Sequence, residues 1–174
     1  MITPRTNVPD FSVSKLDGST WTLSDQKPEN FTMVVAYRGY HCPLCSKYLA
    51  GLNKIADGLA ERGVNLVVIS SDTIERAQLA NDEWKLDKLE IAYGLSIDKA
   101  RELGLYVSNG IGTTSTGIDE PDIFSEPGLF LIRPDQTLYF ADIQTMPFLR
   151  PDLAGLLPNL DFIISKGYPA RGEA

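Results

Sequence analysis

Two cysteines are the residues of this chain best suited to chemistry. Cys42 and Cys45 are the only cysteines among 174 residues, and they stand three apart as Cys-Pro-Leu-Cys. A disulfide between them closes too short a loop to constrain the unfolded chain much, so it would add little stability. The spacing therefore favours reactive thiol chemistry or metal binding over a structural disulfide.

The residues around this pair are basic, although the whole chain has a net charge of −7. Residues 31–56 contain no Asp or Glu, and they include Arg38 and His41. The thiolate is the reactive form of cysteine, and nearby cations and helix N-termini lower its pKa. Pro43 suits the first position of a helix, which places Cys42 at the helix start. The sequence therefore predicts at least one cysteine with a lowered pKa, and Cys42 as the more acidic, in a motif open to substrate.

Other interpretations of these residues stay open. A zinc site usually needs four ligands, and only Cys42, Cys45 and His41 are candidates here. Two inert buried cysteines are a second alternative, although the proline between them and the basic flank argue against it. His41 is either an ordinary hydrogen-bonded residue or a proton-transfer group, and Arg38 either a local cation or one half of a salt bridge. No metal or cofactor is predicted.

Apolar patterns predict the elements that position the cysteines. Alternating apolar residues around Asp17-Gly18 predict an N-terminal β-hairpin. The nearly continuous apolar run 31–37 predicts a strand buried on both faces, followed directly by a helix that ends near 62–63. The elements predicted after it are a buried strand at 64–70, a helix capped by Asp72 or Thr73 and running through Trp84 and Leu86, a short strand at 92–97 and a helical turn at 100–103.

The last third of the chain is less regular. Residues 106–124 are rich in Gly, Thr and Ser and lack periodicity, so we expect a long surface loop of the kind that often carries specificity. A hairpin follows at 129–133 and 137–142. An apolar stripe at 153–164 predicts a closing helix, which Pro158 should kink or restart.

Strands that alternate with helices indicate an α/β fold in one domain spanning residues 1–174. The Cys-x-x-Cys motif lies where the first central strand meets its helix, which is typical of a thioredoxin-like redox motif. The composition is that of a globular protein, with 43% hydrophobic and 22% charged residues. The acidic net charge argues against nucleic acid or an anionic membrane as a partner. The first residues lack the pattern of a secretory signal, so we expect the cytoplasm.

Several short stretches, in a fixed order over residues 9–168, carry a family resemblance. They are Pro-Asp-Phe at 9–11 with Leu-Asp-Gly at 16–18, Ala-Tyr-Arg-Gly-Tyr-His-Cys at 36–42, Ser-Ser-Asp at 70–72 with Trp84, Leu-Ser-Ile-Asp at 95–98, and Gly-Leu-Phe-Leu-Ile-Arg-Pro-Asp at 128–135. In this order they resemble the peroxiredoxin-like branch of the thioredoxin-fold superfamily, often grouped as alkyl hydroperoxide reductase/thiol-specific antioxidant. The resemblance implies a thioredoxin-like fold with a central mixed sheet, flanking helices and an N-terminal β-hairpin.

The active-site segment departs from the family pattern at two positions. Typical peroxiredoxins carry P-x-x-x-T-x-x-C, and a Thr and a buried Arg activate the cysteine that attacks peroxide. By resemblance, Cys45 takes the position of that cysteine, Cys42 the position of the Thr, and Pro127 the position of the Arg. A proline there resembles the cis-proline of thioredoxins, which implies a cis Glu126–Pro127 bond facing the Cys-x-x-Cys motif.

The resemblance implies an antioxidant peroxidase that reduces hydroperoxides. One cysteine attacks the oxidant, the other forms the disulfide, and an external thiol of the thioredoxin or glutathione type restores the dithiol. A protein disulfide reductase is the alternative within enzymes, and a non-catalytic redox-sensing or binding module is the alternative outside them. A homodimer is compatible with the resemblance. The predicted site consists of Cys42 and Cys45, supported by Arg38, His41, Pro43 and Pro127. Helix-end electrostatics favour Cys42 as the nucleophile, whereas the family pattern favours Cys45.

Overall fold

A computed structural model describes residues 2–174. Its strands are β1 (Ser12–Lys15), β2 (Thr20–Thr22), β3 (Phe31–Ala36), β4 (Val64–Ile69), β5 (Glu90–Tyr93), β6 (Val107–Asn109), β7 (Ile123–Ser125), β8 (Gly128–Ile132) and β9 (Leu138–Ile143). Its α-helices are α1 (Pro43–Glu61), α2 (Ile74–Trp84), α3 (Ile97–Glu102) and α4 (Leu156–Lys166). Short 3-10 turns lie at Leu23–Asp25 and Leu153–Gly155.

Seven strands form one mixed sheet in the order β2-β1-β5-β4-β3-β8-β9. β3, β4 and β5 run parallel, while β1 and β8 pair antiparallel with their neighbours in that group. The strand β3 is therefore central, with Ala36 opposite Ile69 on one side and Gly128 on the other. The predicted mixed α/β fold and the N-terminal β1–β2 hairpin are confirmed.

Both faces of β3 are covered, as its apolar sequence predicts. All six residues of the strand are buried. Met33 and Val35 pack in the cluster that includes the buried side of α1, whereas Val34 and Ala36 pack in the cluster on the opposite face of the sheet. A strand held in this way has little freedom to shift, so it presents the residues that follow it at a fixed place.

The helix α1 follows from a regular pattern of apolar residues. Its buried positions recur every three or four residues, which keeps them on one side of the helix. They are Cys45, Leu49, Leu52, Ala56 and Leu59. Pro43 occupies the first turn, where its missing N–H breaks no helical bond, as predicted. At the other end, Gly63 takes a φ of 65°, a conformation that favours glycine.

The region predicted as a strand at 92–97 divides differently. β5 ends at Tyr93, and Gly94 turns the chain with a φ of 76°. Ser96 then caps α3, because its hydroxyl accepts the Lys99 N–H at 3.2 Å. The predicted strand is thus displaced toward the N-terminus, since local capping at Ser96 prevails over the apolar pattern.

The segment predicted as an irregular loop at 106–124 contains a small sheet. β6 and β7 pair antiparallel, with Ser108 opposite Phe124. The residues between them fold back on themselves, and Thr113 and Asp119 form an isolated bridge. We call residues 107–125 the β6–β7 segment.

The C-terminal helix restarts at its proline. Pro158 is the third residue of α4, and a 3-10 turn precedes the helix, which confirms the predicted restart. No helix within residues 2–174 is both long enough and apolar enough to cross a membrane.

Candidate active site

A tight loop carries the chain from the end of β3 to the start of α1. The Tyr37 N–H donates to the Ile69 carbonyl at 2.9 Å, and the Cys42 N–H donates to the Gly39 carbonyl at 3.1 Å. Gly39 has a φ of 134°, and a Cβ on it would lie 2.6 Å from the Oδ1 atom of Asp72. Both the backbone conformation and the lack of room therefore require glycine at this position.

Asp72 holds this loop from the neighbouring strand end. It is buried at 4% exposure, and its Oδ2 atom accepts the Tyr40 N–H at 2.7 Å. Its Oδ1 atom lies 3.2 Å from the Nε atom of Arg76. Burial raises the pKa of Asp72, while the Tyr40 N–H and the Arg76 guanidinium act in the opposite direction. The carboxylate thereby ties the loop before Cys42 to the start of α2.

The two cysteines lie at the N-terminal end of α1, as predicted. Cys42 is the capping residue, and its Sγ atom accepts the Cys45 N–H at 3.3 Å. Both thiols are free. The prediction of a motif open to substrate is wrong, because Cys42 is 1% exposed and Cys45 is 0% exposed.

The pKa values of the two thiols are shifted in opposite directions. A hydrogen bond from the Cys45 thiol is the largest cause that lowers the pKa of Cys42, to about 6; the Cys45 backbone N–H, Arg150 and Arg38 add to it, and burial opposes it. Burial raises the pKa of Cys45 well above its usual range. The first proton that the pair loses therefore comes from Cys42, which becomes a thiolate while Cys45 remains a thiol. This agrees with the expectation that Cys42 is the more acidic.

Arg150 contacts the second sulfur and was missed by the sequence analysis. Its Nη2 atom lies 2.9 Å from the Sγ atom of Cys45, and its guanidinium stacks over the Tyr48 ring at 5.0 Å. Arg150 lies between β9 and α4, 105 residues after Cys45. Nothing in the local sequence marks it, since an arginine beside a proline in a connection between two elements is ordinary.

A small cavity adjoins this arginine. Its volume is about 10 Å³, and Tyr48, Pro127 and Arg150 are among its lining residues. That volume is roughly the room for one water molecule. Within residues 2–174, the Tyr48 hydroxyl and the Nε and Nη1 atoms of Arg150 are buried without a hydrogen-bond partner. Polar groups in this state are suited to bind a small polar molecule.

Arg38 lies at the start of the loop and is bound by two carboxylates. Its Nη2 atom is 3.0 Å from Oε1 of Glu120, and its Nε atom is 3.2 Å from Oε2 of Glu126. Its guanidinium also stacks over the Phe124 ring at 4.7 Å. The acid-free stretch of sequence around the cysteines therefore meets acids in space, from the β6–β7 segment and the residue that follows it.

His41 is not a cation in this site. It is 0% exposed, and its ring lies 4.7 Å from the ring of Phe124. Burial, together with the charges of Arg38 and Arg76, lowers the pKa of His41 to about 4. A contribution of a protonated His41 to the acidity of the cysteines is therefore excluded near neutral pH. Within residues 2–174, no three side chains of the His, Cys, Asp or Glu type are grouped as metal ligands.

The expected cis bond before Pro127 is wrong. All peptide bonds in residues 2–174 are trans, including Glu126–Pro127. The backbone on the two sides of this bond continues two strand pairings. The Glu126 N–H donates to the Tyr106 carbonyl at 2.7 Å, next to the β6–β7 pairing, and the Pro127 carbonyl accepts the Gln144 N–H at 2.9 Å, next to the β8–β9 pairing. Pro127 nevertheless lies in the wall of the small cavity beside Arg150.

Comparisons with known proteins agree with this architecture. The sequence model described as the AhpC/TSA family matches residues 4–141. Peroxidoxin BcpB from Mycobacterium tuberculosis superposes with a TM-score of 0.71 at 18% identity, covering 94% of this chain and 99% of that one. A mutant of the peroxiredoxin 6 of Arenicola marina gives a TM-score of 0.76 at 18% identity, covering 96% of this chain and 76% of that one.

A third solved structure extends the likeness over nearly the whole chain. Mycobacterium tuberculosis AhpC gives a TM-score of 0.74 at 14% identity, covering 98% of this chain and 97% of that one. No curated protein matches this chain by sequence. At these identities the structural likenesses establish the thioredoxin-like peroxiredoxin fold, while the family match rests on sequence.

Proposed function

The chain belongs to the AhpC/TSA family and is a thiol-dependent oxidoreductase; from this premise we propose that it is a peroxidase in which Cys42 attacks the hydroperoxide. The observation that carries the assignment is the placement of Cys42 as the cap of α1, with its sulfur accepting the Cys45 N–H at 3.3 Å. Backbone N–H groups at a helix start favour a thiolate over a thiol. Cys45 is then the resolving residue.

The proposed cycle uses the two thiols in turn. The Cys42 thiolate attacks one oxygen of the hydroperoxide and the O–O bond breaks, and the leaving oxygen takes a proton from solvent to depart as an alcohol or water. Cys42 is then a sulfenic acid. The Cys45 sulfur attacks it, water leaves, and a Cys42–Cys45 disulfide forms. An external dithiol, or two monothiols, supplies two electrons and two protons to restore both thiols.

Arg150 and Arg38 support different stages of this cycle. Arg150 lies against Cys45, where its positive charge favours ionisation of that sulfur when it has to attack the sulfenic acid. The charge of Arg38 favours ionisation of Cys42. His41 is proposed to support the site as a neutral packing residue, and Pro43 by starting the helix. Pro127 is proposed to shape the small cavity beside Arg150.

Burial of the sulfurs favours a hydroperoxide over a protein disulfide as the oxidant. Cys42 and Cys45 are 1% and 0% exposed in the reduced state, so a disulfide on the surface of another folded protein has no direct path to either thiol, and a protein reductant requires the site to open after the disulfide has formed. A hydroperoxide needs only room for its oxygen atoms. The trans Glu126–Pro127 bond also removes the feature that most resembled a disulfide reductase.

Protein disulfide reduction remains the second candidate, because a Cys-x-x-Cys motif at a helix start is also typical of that activity. A non-catalytic redox sensor is the third. The test is a steady-state assay with hydrogen peroxide, an organic hydroperoxide and insulin disulfide, each with dithiothreitol, glutathione or a thioredoxin as donor. We expect turnover with a hydroperoxide. Faster turnover with insulin would support the reductase, and consumption of about one equivalent of oxidant per dithiol would support the sensor.

The setting of the reaction is also a proposal. We propose a cytoplasmic protein, because a dithiol that must return to the reduced state suits a reducing compartment. The substrate is a hydroperoxide and the reductant an external thiol of the thioredoxin or glutathione type. A homodimer and a single domain over residues 1–174 complete the proposal, and size-exclusion chromatography with light scattering tests the oligomeric state.

A further inference from the structure

The β6–β7 segment closes over the Cys42 side of the site through several contacts. The Ser125 N–H donates to Oγ of Ser71 at 3.1 Å, and Arg76 donates to the Asp119 carbonyl at 2.9 Å. Phe124 packs against both Arg38 and His41. These contacts hold the segment against the strand ends that carry the active-site loop.

The two carboxylates that reach Arg38 from this region are built in rigidly. The Glu120 side chain is 5% exposed, and its Oε2 atom accepts the Ile111 N–H at 2.9 Å while Oε1 faces Arg38. The Glu126 side chain is 4% exposed, and its Oε1 atom accepts the Ser108 hydroxyl at 2.6 Å while Oε2 faces Arg38. In each carboxylate, one oxygen therefore accepts a hydrogen bond from the β6–β7 segment and the other oxygen faces the Arg38 guanidinium.

The Arg38 guanidinium thus interacts with three anionic groups, which are the two carboxylates and the Cys42 thiolate. The Arg38 guanidinium lies 3.0 Å and 3.2 Å from two buried carboxylates, and its positive charge also lowers the pKa of the Cys42 thiol. The other groups that lower the pKa of Cys42 are the neutral Cys45 thiol, the Cys45 backbone N–H and the Arg150 guanidinium. His41, the preceding residue, is neutral near pH 7. A buried guanidinium offset by carboxylates stabilises a nearby thiolate less than a free one does.

We propose that Glu120 and Glu126 are positioning residues that compete with the Cys42 thiolate for Arg38, and so restrain the reactivity of Cys42. This gives the β6–β7 segment a defined role: it supplies the negative charge that counteracts the basic residues around the dithiol. The inference rests on the proposed function, in which Cys42 is the reactive thiol.

The test is to remove one carboxylate charge and titrate Cys42. Glu120→Gln keeps the shape of the side chain, and we expect the pKa of Cys42 to fall by about 0.5 to 1 unit. At pH 5, iodoacetamide should alkylate Cys42 about 2.5 to 5 times faster, because the rate follows the thiolate fraction. Fragment-ion mass spectrometry places the label on Cys42 rather than Cys45.

Asp119→Asn is the matched control. It removes the same charge from the adjacent, exposed residue, whose side chain accepts the Thr113 hydroxyl at 2.6 Å. We expect the control to leave the pKa of Cys42 within about 0.2 units of the parent, since an exposed charge is screened by solvent. In an Arg38→Met background, Glu120→Gln should lower the pKa less than in the parent, because only the direct repulsion between the carboxylate and the thiolate remains.

Three outcomes would overturn the proposal: a rise in the pKa of Cys42 in Glu120→Gln, a shift no larger than that of Asp119→Asn, or an equal shift without Arg38. If Glu120→Gln fails to fold by circular dichroism, Glu126→Gln tests the same competition from the second carboxylate. Titration and alkylation need no turnover. A protein without peroxidase activity would thus refute the proposed function while leaving this result to be judged separately.

Discussion

The two sulfurs of the dithiol lie one helical turn apart, yet their surroundings differ in kind. Both cysteines lie in the same buried apolar cluster, and within residues 2–174 the polar side chain that donates to the Cys45 sulfur is Arg150. The ion pairs within residues 2–174 leave Arg150 out. Arg38, whose charge lowers the pKa of Cys42, is already paired with two carboxylates. Cys45, the weaker acid, thus lies beside an arginine that has no carboxylate partner among the described residues. Cys42, the stronger acid, is acted on by an arginine whose charge is offset by two carboxylates.

Nearby cations therefore do not by themselves decide which thiol ionises. Cys42 is the stronger acid mainly because the Cys45 thiol donates a hydrogen bond to it. Cys45 is the weaker acid mainly because it is fully buried, despite its contact with Arg150. The position within the first turn of α1 therefore decides the order, and the arginines adjust it.

Exchange of single cysteines is the strongest test of this comparison. We expect Cys42→Ser to reduce hydroperoxide consumption by more than about 1000-fold, because it removes the attacking thiolate. Cys45→Ser should still consume one equivalent in the first reaction and then stop, because no disulfide can form. Peroxide consumption and mass spectrometry of the sulfenic acid measure both. A first reaction that survives in Cys42→Ser but not in Cys45→Ser would reverse the two roles.

The pH dependence of the first reaction should separate the two thiols. With a pKa of about 6, the Cys42 thiolate is the minor form at pH 5 and nearly the only form at pH 8. The rate constant with hydrogen peroxide should therefore rise about tenfold over that range and then level off. Stopped-flow fluorescence measures it. A rate that keeps rising through pH 8.5 would mean that Cys42 titrates like a free cysteine.

Removing Arg150 should weaken both thiols as acids. Its charge lowers the pKa of Cys42 and opposes the rise for Cys45, so Arg150→Met should raise both. At pH 6 we expect the first reaction to slow about 2- to 5-fold, from a pKa increase of about 0.5 to 1 unit. Arg171→Met, an exposed arginine near the C-terminus, is the control. If the pH dependence of the alkylation rate of Cys42 is unchanged in Arg150→Met, an electrostatic role for Arg150 is contradicted.

Gly39→Ala should damage the loop before Cys42 more than a similar change elsewhere. The added Cβ would lie 2.6 Å from Oδ1 of Asp72, in a backbone conformation that L-residues rarely adopt. We expect the free energy of unfolding to fall by about 2–3 kcal/mol. Gly18→Ala, at a φ of 83° with nothing within 4 Å, carries the backbone strain alone and should cost about 1 kcal/mol. Equal losses in urea denaturation would mean that the contact with Asp72 does not constrain the loop.

Replacing His41 should have the smallest effect on acidity. Because its pKa is about 4, the ring carries no charge over the range in which Cys42 titrates. His41→Asn should therefore shift the midpoint of the rate profile by less than about 0.3 units. Loss of a distinct ionisation near pH 6.5 in this variant would show that His41 is a cation or a base after all.

The fold was largely predictable because its strongest signals are local. The six buried residues of β3 are contiguous in the sequence, and the buried side of α1 repeats every three or four residues. Pro43 marks the helix start in the sequence itself. The β5–α3 boundary was less predictable, because the Ser96 cap and the turn at Gly94 prevail over the apolar pattern.

The site was only half predictable, because its charges come from distant segments. The acid-free stretch correctly indicates a basic surrounding in sequence, but Glu120 reaches Arg38 across 82 residues and Arg150 reaches Cys45 across 105. Burial of the cysteines depends on the same long-range packing, which also makes His41 neutral. A pattern read within ten residues contains none of this information.

The distance along the chain between Arg150 and Cys45 has a consequence for biosynthesis. The cysteine emerges from the ribosome 105 residues before the arginine that contacts it. At about 5–20 residues per second, roughly 5 to 20 s pass between the two. During that interval the nascent dithiol lacks one of its two guanidinium partners and the cover of the C-terminal segment. A newly made chain thus gains its mature thiol chemistry only after translation has passed Arg150.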